Sequence, residues 1–306
     1  MANPQMHTYT ALGARTVRRK AQLPDVVTRV SIEETPIWAL MPHQGVQDPH
    51  VELVEDNLQV IDTANAHAEG APAPAAASTA RSVNENWCQD FRKTVEVSDL
   101  QQTVAQWGVR NEYDYQLGLR TLEFMRDIEA CMISDQAGQA GTPANGRVYT
   151  MKGMATLITT NTNLVANWNK ANLDTEIQSV YGTSGGDPSV MWMDLTRKVT
   201  AAAFAEEVTR YQPGEHMKMY NEVQVYNSPV GRTLTISPHR YLPQNFVGTS
   251  AVVYGLDMTR AGWKIYEAQP MRVRDLPWLG GARSAQISWQ GCIMCGAEKA
   301  NFEFAG

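Results

Sequence analysis

The most constraining stretch of this sequence lies between residues 30 and 80. It contains no Lys or Arg and holds eight acids: Glu33, Glu34, Asp48, Glu52, Glu55, Asp56, Asp62 and Glu69. It closes in a low-complexity run over 64–80, where nine of seventeen residues are Ala and Pro72 and Pro74 sit among them. Such a run cannot supply a core and is expected to be a mobile tip or linker. Strand signals flank it. Val51, Leu53 and then Val60 and Ile61 are interleaved with acids, and Phe91, Val95 and Val97 alternate with Arg92, Thr94, Glu96 and Ser98. Two strands joined by a long flexible tip make an extended hairpin arm. An isolated two-stranded arm is marginal in water, so it is expected to rest on another subunit.

The preceding 29 residues have the opposite charge. Arg15, Arg18, Arg19, Lys20 and Arg29 face a single acid, Asp25, and large apolar residues are few. This segment reads as an extended arm that needs a partner surface for order. A basic arm followed by an acidic segment allows two readings: two solvated surfaces, or an arm and an acidic segment that meet on neighbouring subunits.

The rest of the chain can build a full-sized core. Of 306 residues, 43% are apolar and 19% charged, the net charge is −6, and collagen-like, coiled-coil and wholly disordered classes are excluded. A basic nucleic-acid coat is equally unlike this balance. The apolar runs at 37–41 and 251–254 are too short to span a bilayer. The amino end lacks the apolar stretch of a signal peptide, and four scattered cysteines suit free thiols in a reducing compartment. The protein is expected to be made and used in cytoplasm.

Helix signals begin at Ser98, with a capping-box pattern and Gly108 as a stop. Asn111 can cap a long helix from Glu112 to about Ser134, with Glu112 and Asp114 favoured in its first turn. Tyr115, Leu119, Leu122 and Met125 line one side, and Leu117, Phe124, Ile128 and Cys131 the adjacent side, so the apolar face is broad. Asn172 is expected to cap a helix stopped by Gly182, and Asp194 one running from Leu195 to about Glu207. Strands are expected at 190–193, at Val223 and Val225, at Leu234 and Ile236, over 252–256, at Trp263 and Ile265, at Met271 and Val273, and through Ile287, Trp289 and Ile293. The fold class is α+β without internal repeats.

A search for chemistry finds little. Cys292 and Cys295 form a CxxC, but within a strand pattern and without a zinc partner, and two buried thiols are the expected outcome. The six histidines form no spaced ligand set, and His239 is expected to make a loop contact. The Gly-rich run at 182–186 follows a helix and precedes a strand, the reverse of a phosphate cradle, and no catalytic constellation emerges. Catalytic, cofactor and metal residues are therefore expected to be none.

Several segments taken in order resemble tailed-bacteriophage major head proteins. Thr35-Pro36 through Met41-Pro42 is similar to their "TP…MP" entry, and residues 51–58 look like their "EW…D-L" strand. Phe91-Arg92-Lys93 through Val97-Ser98, Gln101-Gln102, and Glu112 with Tyr115-Gln116 resemble a run "FRK-x-V-x-VS…QQAV…E…YQ". Arg126-Asp127-Ile128-Glu129-Ala130 matches "RDIEAA", and Asp187-Pro188-Ser189-Val190 and 221–242 are similar to the central strands. The resemblance covers about residues 30 to 300. It implies the Hong Kong 97-type capsid fold, with an N-terminal arm over 1–41 and an extended loop with flanking strands over 42–98. The spine helix and peripheral domain would span 99–151, an axial domain 152–268, and a return to the peripheral domain 269–306. It implies a shell of pentamers and hexamers enclosing phage double-stranded DNA, with a portal protein and a cement or scaffolding protein as partners, in a virion assembled in the host bacterial cytoplasm. An encapsulin-like nanocompartment, a tail or portal ring, and a thiol or metal enzyme using Cys292 and Cys295 are the alternatives. Some shells of this fold are stitched by isopeptide bonds from an extended-loop Lys. None lies between Gln44 and Ala80 here, so assembly is expected to be noncovalent. In that light Arg18, Arg19 and Lys20 are expected to meet Glu52, Glu55, Asp56 or Glu69 of a neighbour, and net acidity keeps the inner wall from adhering to DNA.

Overall fold

The structure, a computed structural model, describes residues 34–75, 78–103, 111–204, 225–228, 231–242, 251–259, 262–278 and 280–305. A short helix α1 (Pro36–Leu40) and strand β1 (His43–Gly45) lead into a two-stranded hairpin of β2 (His50–Glu55) and β3 (Ser82–Trp87). The chain then returns as β4 (Gln89–Ser98), turns through α2 (Asp99–Thr103), and runs along the long helix α3 (Glu112–Ile133). Asn111 Oδ1 accepts the amides of Tyr113 and Asp114 at 3.1 and 3.4 Å, so the expected cap is in place. Ser134 is the C-cap, not the last helical residue.

Two sheets carry the cores. The first has four strands in the order β1, β10 (Lys264–Asp275), β11 (Ala282–Met294), β4, with β1 parallel to β10 and the remaining pairs antiparallel. Helix α3 packs across β4 and β11. Phe91, Val95 and Val97 alternate inward from β4, while Phe124, Ile128, Met132 and Ile133 of α3 meet Trp289, Ile287 and Ile293 of β11 in the main core. Each large apolar side chain buried there contributes about 1.5–3 kcal/mol relative to exposure. The close fit reaches the backbone beyond α3: a Cβ on Gly153 would stand 1.8 Å from the Ser134 carbonyl oxygen.

Between β4 and β10 the chain builds the second layer. It contains α4 (Met154–Leu157), β5 (Thr162–Leu164), α5 (Lys170–Ser179), β6 (Val190–Met193), α6 (Leu195–Phe204), β7 (Val225–Asn227), β8 (Thr233–Pro238) and β9 (Ala251–Leu256). With the last strand, β12 (Phe302–Ala305), they give a mixed six-stranded sheet ordered β5, β12, β9, β6, β8, β7. Its core joins Leu173 and Ile177 of α5 to Met191, Met193, Leu234, Ile236, Phe302 and Phe304.

Several expectations need correction. The partner of β2 is β3, paired from His50↔Trp87 to Glu55↔Ser82, and the expected partner around Phe91–Val97 is a sheet strand bonded to β11. Ser-Val-Asn-Glu-Asn-Trp carries no apolar alternation because neither face of β3 is wholly buried, so periodicity cannot reveal it. Val60 and Ile61 are not in a strand. Helix α5 is capped by Asn169, whose side chain accepts the Asn172 amide at 2.8 Å, and the segment ends at Gly185 in the left-handed region (φ 62), not at Gly182. The candidates around Ile265 and Val273 form one strand, β10, interrupted by bulges between Glu267 and Arg272. Val223, Gly108 and the expected end of α6 lie outside the described residues.

Candidate functional site

The hairpin is rooted in the main core, where Val51 of β2 is buried and Leu53 packs against it, and its outer segment over 56–75 is exposed. Its root is held by buried polar groups. The Asn86 side-chain amide donates to the carbonyls of Ile293 and Lys152 at 2.5 and 3.2 Å, while its oxygen accepts the amides of Lys152 and Trp87 at 2.7 and 2.8 Å. The Asn86 side chain is itself wholly buried, so these bonds fix the place where the hairpin leaves the sheet. At the outer end of the ladder, Glu55 Oε1 accepts from Asn84 at 2.6 Å and from the Glu298 amide at 3.3 Å. Beyond Glu55 the described chain has no regular structure until Ser82. There Leu58, Val60 and Ile61 are 97%, 94% and 87% exposed. Three such neighbours in one irregular segment form an apolar patch of the kind that marks a contact surface.

The long helix offers a second open face. Tyr115, Leu119, Leu122 and Met125 are only half-buried, whereas Phe124, Ile128, Met132 and Ile133 are covered. The expected broad apolar stripe is thus only partly used within the chain. Leu195 and Val199 on α6 and Trp278 in the turn between β10 and β11 are also exposed.

The expected charge contacts separate on inspection. Arg18, Arg19 and Lys20 lie outside the described residues. Asp56 is engaged within the hairpin by Arg81, 3.1 Å away, and Glu55 by Asn84 and the Glu298 amide. Glu52 and Glu69 face solvent. Glu52 lies directly opposite Glu85, and His50 lies between them, with Nδ1 3.3 Å from Glu52 and Nε2 3.1 Å from Glu85. The His50 ring stacks on Trp87 at 3.8 Å. These three residues form the one His/Cys/Asp/Glu group among the described residues whose ligand atoms approach within 4.8 Å of one another. Spacing along the sequence shows His50 and Glu52 on one face, but only the register adds Glu85.

Three buried carboxylates act as clamps between segments. Glu129 of α3 accepts the Ile37 and Trp38 amides at 2.7 and 3.1 Å and faces His239 Nε2 at 3.1 Å. It thereby caps α1, whose own Thr35 offers no side-chain bond, and ties it to the end of β8. His239 is therefore a buried bridge to the long helix, more than the expected loop contact. Glu298 accepts the Thr159 and Thr160 amides, and Asp257 those of Asp187 and Thr259. Glu303 on β12 differs: burial without a partner for Oε2 pushes its carboxyl up to about 8. All four cysteines are free thiols, with Cys88, Cys292 and Cys295 buried. Cys292 and Cys295 are the two buried thiols expected of the CxxC, and Cys292 faces Cys88 at 3.7 Å.

Comparison with known proteins follows from this geometry. A family model described as SU10 major capsid protein matches residues 6–306. The major capsid protein of Escherichia phage Phieco32 is 30% identical over 138 residues, 45% of this chain and 38% of that protein, so the match spans well under half of the curated relative's length. Among solved structures, the capsid of a native GTA particle is similar with a TM-score of 0.58 at 11% identity, over 96% of this chain and 98% of that one. The SrpI encapsulin of Synechococcus elongatus gives 0.61 at 11% identity, over 95% and 93% of the two chains. A structure from Gordonia phage Cozz gives 0.60 at 12%, over 94% and 91%. At these identities the likeness concerns the fold, which is the Hong Kong 97-type capsid fold.

Proposed function

The chain belongs to the SU10 major capsid protein family, and from that premise we propose that it assembles noncovalently, through pentamers and hexamers, into an icosahedral shell around phage double-stranded DNA. The observation that carries this reading is the projecting hairpin with Leu58, Val60 and Ile61 almost wholly exposed. Covering that patch and the half-covered face of α3 with neighbouring subunits gives each weak contact a hydrophobic contribution, and many such contacts close a shell.

In this reading residues 1–41 are the arm and 42–98 the extended loop with its flanking strands, one of which, β4, is bonded to β11. The four-stranded sheet with α3 serves as the peripheral domain and the six-stranded sheet as the axial domain. Portal and scaffolding or cement proteins are the expected heterologous partners. The host cytoplasm is the place of assembly, the virion its destination, and the role is structural, not enzymatic. Glu52, Glu55, Asp56 and Glu69 are the acids proposed to meet Arg18, Arg19 and Lys20 of a neighbour. Reversing the charge of Glu52, Glu55 and Asp56 is expected to impair assembly, and reversing the three basic residues as well is expected to restore part of it; absence of any rescue removes the charge pairing.

The test is negative-stain electron microscopy of the purified chain beside its light-scattering mass. Closed shells tens of nanometres across, or rings of five and six, support the proposal. A chain that stays monomeric even with a co-expressed scaffolding partner refutes it.

A further inference from the structure

We infer that Cys88 and Cys292 form an oxidisable pair that closes to an intrachain disulfide when the protein meets a peroxide. The β4–β11 ladder runs antiparallel from Ala282↔Ser98 to Gly291↔Gln89, so the next position in register sets Cys292 directly opposite Cys88. The Cys88 amide points away from β11 and donates to the Pro49 carbonyl at 2.7 Å. In an antiparallel pair this marks the position without mutual backbone bonds, where the Cα atoms come within about 4.5 Å. That separation lies inside the window a disulfide accepts, about 4.4–6.8 Å. The two sulfur atoms already touch at 3.7 Å as an S–H···S hydrogen bond, and both side chains are buried in the main core. Neither Cys131 nor Cys295 has such a partner in register.

The shared hydrogen bond also sets the order of events. It holds the Cys88 thiol below its ordinary value, and together with burial it pushes Cys292 up, so the pair gives up one proton readily and the second reluctantly. The Cys88 thiolate attacks one peroxide oxygen, the O–O bond breaks, and the departing hydroxide takes up the proton released by Cys88 as water. Cys88 is now a sulfenic acid. The Cys292 sulfur then attacks the Cys88 sulfur, the S–O bond breaks, and the departing hydroxide takes the Cys292 proton. Two thiols and one hydrogen peroxide give one disulfide and two waters. The new bond joins the return limb of the hairpin to the central strand β11, linking residues 204 apart in sequence. The hairpin root, held until then by hydrogen bonds and by the burial of Val51 in the core, gains a covalent cross-link to β11.

The experiment treats the folded chain with hydrogen peroxide, alkylates the remaining thiols under denaturing conditions, and maps nonreduced peptides by mass spectrometry. The expected result is a peptide joining Cys88 to Cys292, with Cys131 and Cys295 alkylated. Oxidation is also expected to raise the thermal midpoint and dithiothreitol to reverse the rise, with Cys88→Ser and Cys292→Ser showing neither change. Four alkylated cysteines after treatment, a link between another pair, or Cys88 accumulating as a sulfinic acid each overturns the inference. The wild-type peptide map decides the matter whether or not the serine variants fold.

Discussion

Removing the Glu129 carboxylate tests how the fold is clamped. Glu129 is wholly buried and holds three donors from two other segments: the Ile37 and Trp38 amides and the His239 ring. In Glu129→Ala all three lose their acceptor in a dry site. An unsatisfied buried donor costs about 1–3 kcal/mol, and breaking a buried charged cluster costs about 3–5 kcal/mol once the surroundings relax. We expect about 3–5 kcal/mol, a large fraction of the roughly 5–15 kcal/mol that holds a domain together. Glu129→Gln keeps one oxygen for Ile37 and His239 but turns an N–H toward the Trp38 amide, so about 1–3 kcal/mol is expected. Glu96→Gln, on an exposed position of β4, serves as the control and should stay within about 0.5 kcal/mol. Urea unfolding of the unassembled chain, followed by tryptophan fluorescence, measures all three. Trp38 lies within the cluster and Trp192 stands 6.0 Å from the His239 ring, so the probe is local as well as global. A Glu129→Ala loss below about 1 kcal/mol would refute the clamp.

Other outcomes follow from the same structure. Changing Leu58, Val60 and Ile61 together to Ser should leave the unassembled chain within about 0.5 kcal/mol of wild type, because these residues are exposed, yet should abolish particles under electron microscopy. Asn86→Leu strands two carbonyls and the Lys152 and Trp87 amides, so it should cost about 3 kcal/mol and speed tryptic cutting at Arg81. Glu303 gives a pH signature. Its carboxyl is raised from 4.5 to about 8 in the folded state, so the folded chain holds that proton more tightly than the unfolded one. Its stabilising contribution is complete below about 4.5 and falls as pH rises through 8, by at most about 5 kcal/mol. Glu303→Gln should remove this slope, its advantage over wild type growing with pH across that window in thermal melts; parallel curves would disprove it.

What the residues themselves disclosed depended on how their signals arise. Helix α3 was legible because Asn111 and the first-turn acids act within a few residues, and β4 because Phe91, Val95 and Val97 alternate against one buried face. Strand β3 was not, since a hairpin strand with exposed faces has no reason to alternate. The acid-rich hairpin stood out by composition, yet the local commitment of Glu55 to Asn84 and of Asp56 to Arg81 needed the register. Glu129, His239 and the Cys88–Cys292 pair lie far apart in sequence, and only the fold brings them together. A cross-strand sum rule on Gln89↔Gly291 would have found the thiol pair, but that pairing was itself unknown beforehand.

The four-stranded sheet draws β1 and β4 from the first third of the chain and β10 and β11 from the last, with all of the second layer except β12 inserted between. Ser98 pairs with Ala282, so during synthesis the sheet stays incomplete until nearly the entire chain has left the ribosome. A growing chain therefore displays its hairpin long before it owns the platform that aims it. Translation acts as a clock: a truncated or stalled product lacks β11, cannot orient its arm, and is kept out of any growing lattice.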